Sequence, residues 1–129
     1  MIKSQLCCLF YPETRLLKIN PQSKEGLILK GWMEVAILRE SKSKNALQYF
    51  EAVLKTNNRN IEAIFGKSKY YELCGHFDES IELLNQLIVV YQNFSPPLVE
   101  KMKVQLCLQD WDQADETANR FILVFESNI

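Results

Sequence analysis

At 129 residues the chain fits one small domain, and its 15 Lys plus Arg against 16 Asp plus Glu leave a net charge of −1, which removes the electrostatic basis for binding nucleic acid. With 47% hydrophobic and 24% charged residues it falls in the globular class, outside the disordered range. Its longest apolar run, Leu6 to Tyr11, is far short of the roughly 20 residues that span a bilayer, so no direct membrane insertion is expected.

Four Gly and four Pro are few helix breakers for this length, and Leu, Glu, Lys and Gln abound, so the expected fold is all-α. Residues 1–22 form a divergent N-terminal segment, partly helical, interrupted by Pro12. Cys7 and Cys8 lie there; with Cys74 and Cys107 they match neither a disulfide framework nor zinc-ligand spacing, which points to thiols in a reducing compartment. Over 23–58, Leu27 and Gly31 belong to a first helix and Ala46, Phe50 and Val53 to a second, with the polar stretch Glu40–Asn45 as their corner.

Over 60–93 the pattern is clearest. Asn60 can cap a helix whose face carries Ile61, Ile64, Phe65, Ser68 and Tyr71. Ser68 takes a slot that must be small because two helices cross closely there. Gly75 suits a left-handed helix end, and Asp78 can cap the next helix, with its stripe of Ile81, Leu84, Leu87, Ile88 and Tyr91 and its watery face of Glu79, Glu82 and Gln86. Over 95–127, Ser95 can cap and Pro96 opens a helix with Leu98, Met102 and Leu106 inside. The corner Gln109–Asp112 has lost the glycine, and a last helix from Asp112 is expected to bury Ala114, Ala118, Phe121, Ile122 and Phe125.

A fixed period joins these elements. Ala46, Ser80 and Ala114 stand 34 residues apart, as do Phe50, Leu84 and Ala118, and Val53, Leu87 and Phe121. That is the length of the tetratricopeptide repeat, a pair of antiparallel helices, so the expected architecture is an α-solenoid of about three repeats, 23–58, 60–93 and 95–127, forming one array over 23–129. The first repeat carries three extra residues between Gly31 and Ala46, best placed in its polar corner. An array whose last helix carries Phe121 to Phe125 and no polar cap should leave apolar surface uncovered.

The order of residues also resembles one family. Glu25–Trp32, Ala46–Glu51 and Glu62–Lys67, and above all the run from Leu98 to Gln113, are similar to the amino-terminal repeats of the tetratricopeptide repeat protein 21 family, across about residues 16 to 125. The resemblance implies a long helical solenoid subunit of intraflagellar transport complex A, which moves cargo in the retrograde direction in cilia and flagella, with no catalytic residues to carry over. It also implies protein partners among the other subunits of that complex and a location in the cytoplasm and the cilium or flagellum, at basal body and axoneme. Full members are far longer, so the chain corresponds to a fragment or a short isoform.

No enzyme is expected. The single histidine, His76, falls in a helix corner two residues from Cys74, and the carboxylates at Glu79 and Glu82 or Asp112, Asp115 and Glu116 suit solvent faces and helix starts. The four glycines fit no phosphate loop, so no cofactor is expected. Function should instead reside in the groove lined by first helices, where helical phase places Glu62, Phe65, Lys69 and Glu72, then Pro96, Val99, Lys103 and Leu106. One Lys per repeat flanked by acids or apolar groups does not make a carboxylate clamp, which favours a partner helix or protein surface with apolar anchors. The basic pairs Lys67 with Lys69 and Lys101 with Lys103 are balanced by Glu62, Glu72 and Glu100, so no nucleic acid partner is expected.

Overall fold

The computed structural model describes Asn20, residues 23–37 and residues 45–128. The expectations for residues 1–22, for Cys7 and Cys8 and for the lengthened corner before Asn45 fall, Asn20 and Ser23 onward apart, outside the described residues. Six helices follow in order: α1 Lys24–Ile37, α2 Asn45–Thr56, α3 Ile61–Leu73, α4 Phe77–Val90, α5 Pro96–Cys107 and α6 Trp111–Ser127. No strand occurs among the described residues. Three hairpins, α1 with α2, α3 with α4 and α5 with α6, stack in a row, because α2 also packs on α3, α4 on α5, and α1 on α3. The molecule is an all-α solenoid of helical repeats.

Local chemistry sets where each helix begins and ends. Asn60 accepts a hydrogen bond from the Ala63 amide at 2.9 Å and caps α3 as its sequence suggests. At the other end Gly75 adopts φ +82, the Gly75 amide donates to the Glu72 carbonyl and the His76 amide to the Tyr71 carbonyl. These two reversed bonds are a Schellman closure, which satisfies carbonyls that the last turn would otherwise orphan. The next hairpin repeats the closure 34 residues later: Gln109 takes φ 59, its amide donates to Leu106 and that of Asp110 to Gln105. The glycine is gone from this corner, but the left-handed backbone is kept.

Three helix starts differ from expectation, the first being α5, where Ser95 precedes Pro96 with helical backbone angles and makes no side-chain cap bond. The residue preceding α4 is His76, which makes no side-chain cap bond, and Asp78 lies within the first turn, so it acts through its charge near the helix amino terminus and not as a cap. The quick reversal at Gly75 is what starts α4 earlier. Likewise α6 begins at Trp111, one residue before Asp112, because Asp110 caps it by accepting from the Gln113 amide at 3.3 Å.

The core lies between hairpins as much as inside them. Phe50 is fully buried, and its ring lies across Gly31 of α1 and Gly66 of α3. A Cβ on Gly31 would come within 2.7 Å of Phe50 Cε1, and one on Gly66 would meet the Phe50 ring still more closely. Trp32 meets the same ring edge-on at 5.9 Å. Around them Ile28, Val35, Ala46, Val53, Ala63 and Tyr70 form one buried cluster. Ser68 is buried as the small slot requires, with its hydroxyl turned onto the Phe65 carbonyl at 2.7 Å, while the Ser80 hydroxyl crosses from α4 to the Ser68 carbonyl at 2.9 Å.

Two inner stripes need correction. In α5 the buried residues are Pro97, Leu98, Val104 and Gln105, while Met102 is half-buried and Leu106 is exposed. A first helix is covered by its own partner and by the preceding hairpin, so its buried surface is wider than one stripe and rotated from it. Gln105 is satisfied within that surface by the Thr117 hydroxyl of α6 at 2.7 Å. In α6 only Ala114 and Thr117 are buried; Ala118 and Phe121 are half-buried, and Ile122 and Phe125, expected inside, are exposed.

Candidate protein-interaction face

First helices neighbour first helices. α1 touches α3, with Trp32 and Phe65 ring centroids 6.1 Å apart, and α3 is tied to α5 by Lys69 and Glu100. The face they share is where the predicted groove residues were placed. Lys69 Nζ donates to both oxygens of Glu72 at 3.1 Å and to Glu100 Oε2 at 3.2 Å, and Lys103 Nζ donates to Glu100 Oε1 at 2.9 Å. Lys69, Glu72 and Lys103 are therefore brought together in one alternating ladder through Glu100. Phe65 and Val99 are half-buried beside it.

Glu62 and Leu106 do not join this ladder. Glu62 is exposed near the start of α3, on the wall of a cleft of about 400 Å³ that also meets Lys24, Arg59 and Tyr91, and Leu106 is exposed near the end of α5. The Tyr91 hydroxyl closes the base of that region on the Arg59 carbonyl at 2.9 Å. Sequence reasoning named Glu100 only as a balancing charge and Trp32 only within the family-like string Glu25–Trp32, and placed neither on this face. Glu100 could have been found from its position three residues before Lys103, on the same side of a helix.

The ladder neutralises its own charges. Burial works against a charged Glu100, but hydrogen bonds from Lys103 and Lys69 outweigh it and hold its carboxyl below the usual carboxylate range. Burial likewise opposes the charge on Lys69, and the bonds it donates to Glu72 and Glu100 outweigh it and raise the ammonium above its usual value. A lowered carboxyl contributes stability that is present above its unfolded value near 4.5 and is lost as pH falls through the folded value. The raised Lys69 contributes below its unfolded value of 10.5 and loses that contribution at higher pH still. Replacing Glu100 by Gln is therefore expected to cost about 0.5–1 kcal/mol near neutral pH, given partial solvent screening. Urea midpoints should show that cost shrinking below pH 4 and in molar salt; an unchanged gap in both conditions would contradict the ladder.

The corner thiol and imidazole both stand at the surface. Cys74 and His76 are both exposed; His76 Nδ1 lies 3.6 Å from Glu79 Oε1, and its ring meets Tyr71 edge-on at 6.2 Å. Among the described residues no group of His, Cys, Asp and Glu could hold a metal ion, and no helix is long and apolar enough to cross a membrane.

Residues 11–115 match the family model described as the tetratricopeptide repeat protein 21 N-terminal ARM repeat. The chain belongs to the tetratricopeptide repeat protein 21 family. It is 41% identical over 115 residues to human tetratricopeptide repeat protein 21B, and 35% identical over 114 residues to the mouse 21A protein. These alignments cover 89% and 88% of the chain but 9% of each relative. Among solved structures, a tetratricopeptide repeat protein from Parabacteroides merdae superposes with a TM-score of 0.79 at 18% identity, over 93% of this chain and 46% of that one. A MamA double mutant superposes at 0.76 and 16% identity, over 96% of this chain and 68% of its own. Those two establish the repeat fold. The relatives within the family are named for their repeats and for no reaction, and the array is that of a helical-repeat protein-interaction scaffold.

Proposed function

We propose that the chain is a non-catalytic scaffold segment of intraflagellar transport complex A, acting in retrograde transport and cilium assembly by binding other subunits of that complex. Membership of the tetratricopeptide repeat protein 21 family over residues 11–115 is the observation that carries this proposal. The physical support is the first-helix face, with Phe65 and Val99 as apolar anchors on α3 and α5. Glu62, Lys69, Glu72, Lys103 and Leu106 complete the candidate groove. With both lysines already held by carboxylates, the face offers no unpaired cationic cluster to a terminal carboxylate, and it suits a partner helix or protein surface. Its cellular place is then the cytoplasm and the cilium or flagellum, at basal body and axoneme.

Affinity capture from ciliated cells tests the proposal. The tagged chain should recover complex A subunits, and a Phe65→Asp, Val99→Asp variant should recover several-fold less. Failure of the wild-type chain alongside a successful full-length family member would leave a general cytosolic adaptor for a peptide or partner helix.

A further inference from the structure

We propose that the outer faces of α4 and α6 form a second docking surface, for a basic amphipathic helix of a protein other than the occupant of the first-helix groove. The proposal does not rest on the complex assigned above. At helical spacing Asp78, Glu82, Asn85 and Val89 share one side of α4, and all four are exposed. One repeat further on, Asp112, Glu116, Asn119 and Leu123 follow in the same order on α6, exposed as well. Two acids, an amide and an aliphatic side chain thus recur in the same places on two hairpins. The end of the chain does not create this surface. α4 is flanked by α3 and α5, yet Val89 is 67% exposed, and Leu123 in the same register is also 67% exposed. One residue earlier Ile88 is 4% exposed and Ile122 is 49% exposed, so that position, and not the one held by Val89 and Leu123, is what a neighbouring hairpin covers. Val90 widens the apolar patch, and a shallow groove of about 390 Å³ runs along Glu82, Asn85, Gln86, Val89 and Val90.

Charge selects the occupant. Asp78 and Asp112 lie in the first turns of their helices, where the dipole accounts for them, but Glu82 and Glu116 lie beyond those turns. Glu82 forms no ion pair among the described residues. Glu79, with His76 beside it, and Asp115 add to the acids, while the cations Lys101 and Arg120 cluster with Glu116. The surface stops at the first hairpin: on α2 Lys55 stands where Val89 and Leu123 do, and Glu51 is held by Lys67 at 3.4 Å. An apolar ridge beside this excess of carboxylates repels anionic lipid and nucleic acid and attracts Lys or Arg. Glu82 precedes Val89 by about 10 Å along the helix, so a partner helix lying along α4 needs a base about two turns from its apolar anchor.

Fluorescence anisotropy of a labelled peptide titrated with the full chain tests the proposal. The probe is an alanine-based helix with Leu at one end and Arg about two turns further along; one control peptide carries Glu for Arg and another carries Ala for Leu. The probe should bind saturably and the controls should not. Glu82→Lys with Glu116→Lys, and separately Val89→Ser with Leu123→Ser, should weaken binding about five- to tenfold with unchanged helical circular dichroism, and only the first pair should flatten its salt dependence. Phe125→Ser, at an exposed residue on another side of α6, should bind as wild type does. No saturation up to about 0.5 mM chain, equal binding of the Glu peptide, an affinity indifferent to either pair of substitutions, loss of binding with Phe125→Ser, or recruitment of the chain to phosphatidylserine vesicles would each overturn it.

Discussion

Replacing Phe50 with alanine is expected to lower the unfolding free energy by about 3–5 kcal/mol, a large part of the roughly 5–15 kcal/mol available to a domain of this size. The ring is fully buried and packs from α2 on α1 and α3 at once, so its loss opens a cavity between two hairpins. The effect should be local in space. Trp32 packs against the ring, whereas Trp111 is 65% exposed on the last hairpin. In an array each hairpin is held chiefly by its neighbours. Trp32 emission in a Trp111→Phe background should thus shift at lower urea than the helical signal of α3 to α6. Coincident transitions with an unchanged midpoint would show that Phe50 is not the wedge between the first two hairpins.

Adding a single methyl group at Gly66 should approach that damage from the opposite direction. Gly66 is buried in α3, and its missing Cβ is the space that the Phe50 ring occupies. Alanine is the better helix former by about 1 kcal/mol, so an open site would gain stability. Here the ring is enclosed by Gly31 and Trp32 as well and has little room to move, so Gly66→Ala is expected to cost about 1–3 kcal/mol net. A double-mutant cycle separates the two effects. Combined with Phe50→Leu, which vacates the space, Gly66→Ala should lose most of its cost, and additive losses would contradict the steric account.

The 34-residue spacing of Ala46, Ser80 and Ala114 was enough to expose the helix pairs, because the same small side chain is needed wherever two helices of a hairpin cross. Asn60 and Gly75 were legible for the same kind of reason: each is a residue type that a helix end selects by itself. Gln109 was not, since a left-handed glutamine has no sequence signature and is recognised only from its place one period after Gly75. Gly66 was passed over as one glycine among four, because its neighbour Phe50 belongs to the preceding hairpin and only the stacking of hairpins joins them.

The face of first helices shows the same division. Helical phase put Lys69, Glu72 and Lys103 on one side, but not the bridge that Glu100 makes between hairpins, which depends on how far α5 slides along α3. Leu106, Ile122 and Phe125 were misplaced as inner residues because apolar spacing tells that a helix has a greasy side and not whether another helix lies over it. Where α5 packs between α4 and α6 its buried surface turned toward Pro97 and Val104; α6, packed among the described residues chiefly on α5, kept part of its stripe in water.

In the function proposed above, α1, α3 and α5 present one continuous surface to a protein partner. Amide hydrogen exchange of the chain, alone and with complex A depleted of its own family subunit, tests it most directly. Protection is expected to rise along α3 and α5 around Phe65, Lys69, Val99 and Lys103, with α4 and the outer side of α6 unchanged. Protection confined to the second helices, or none at saturating complex, would contradict the account.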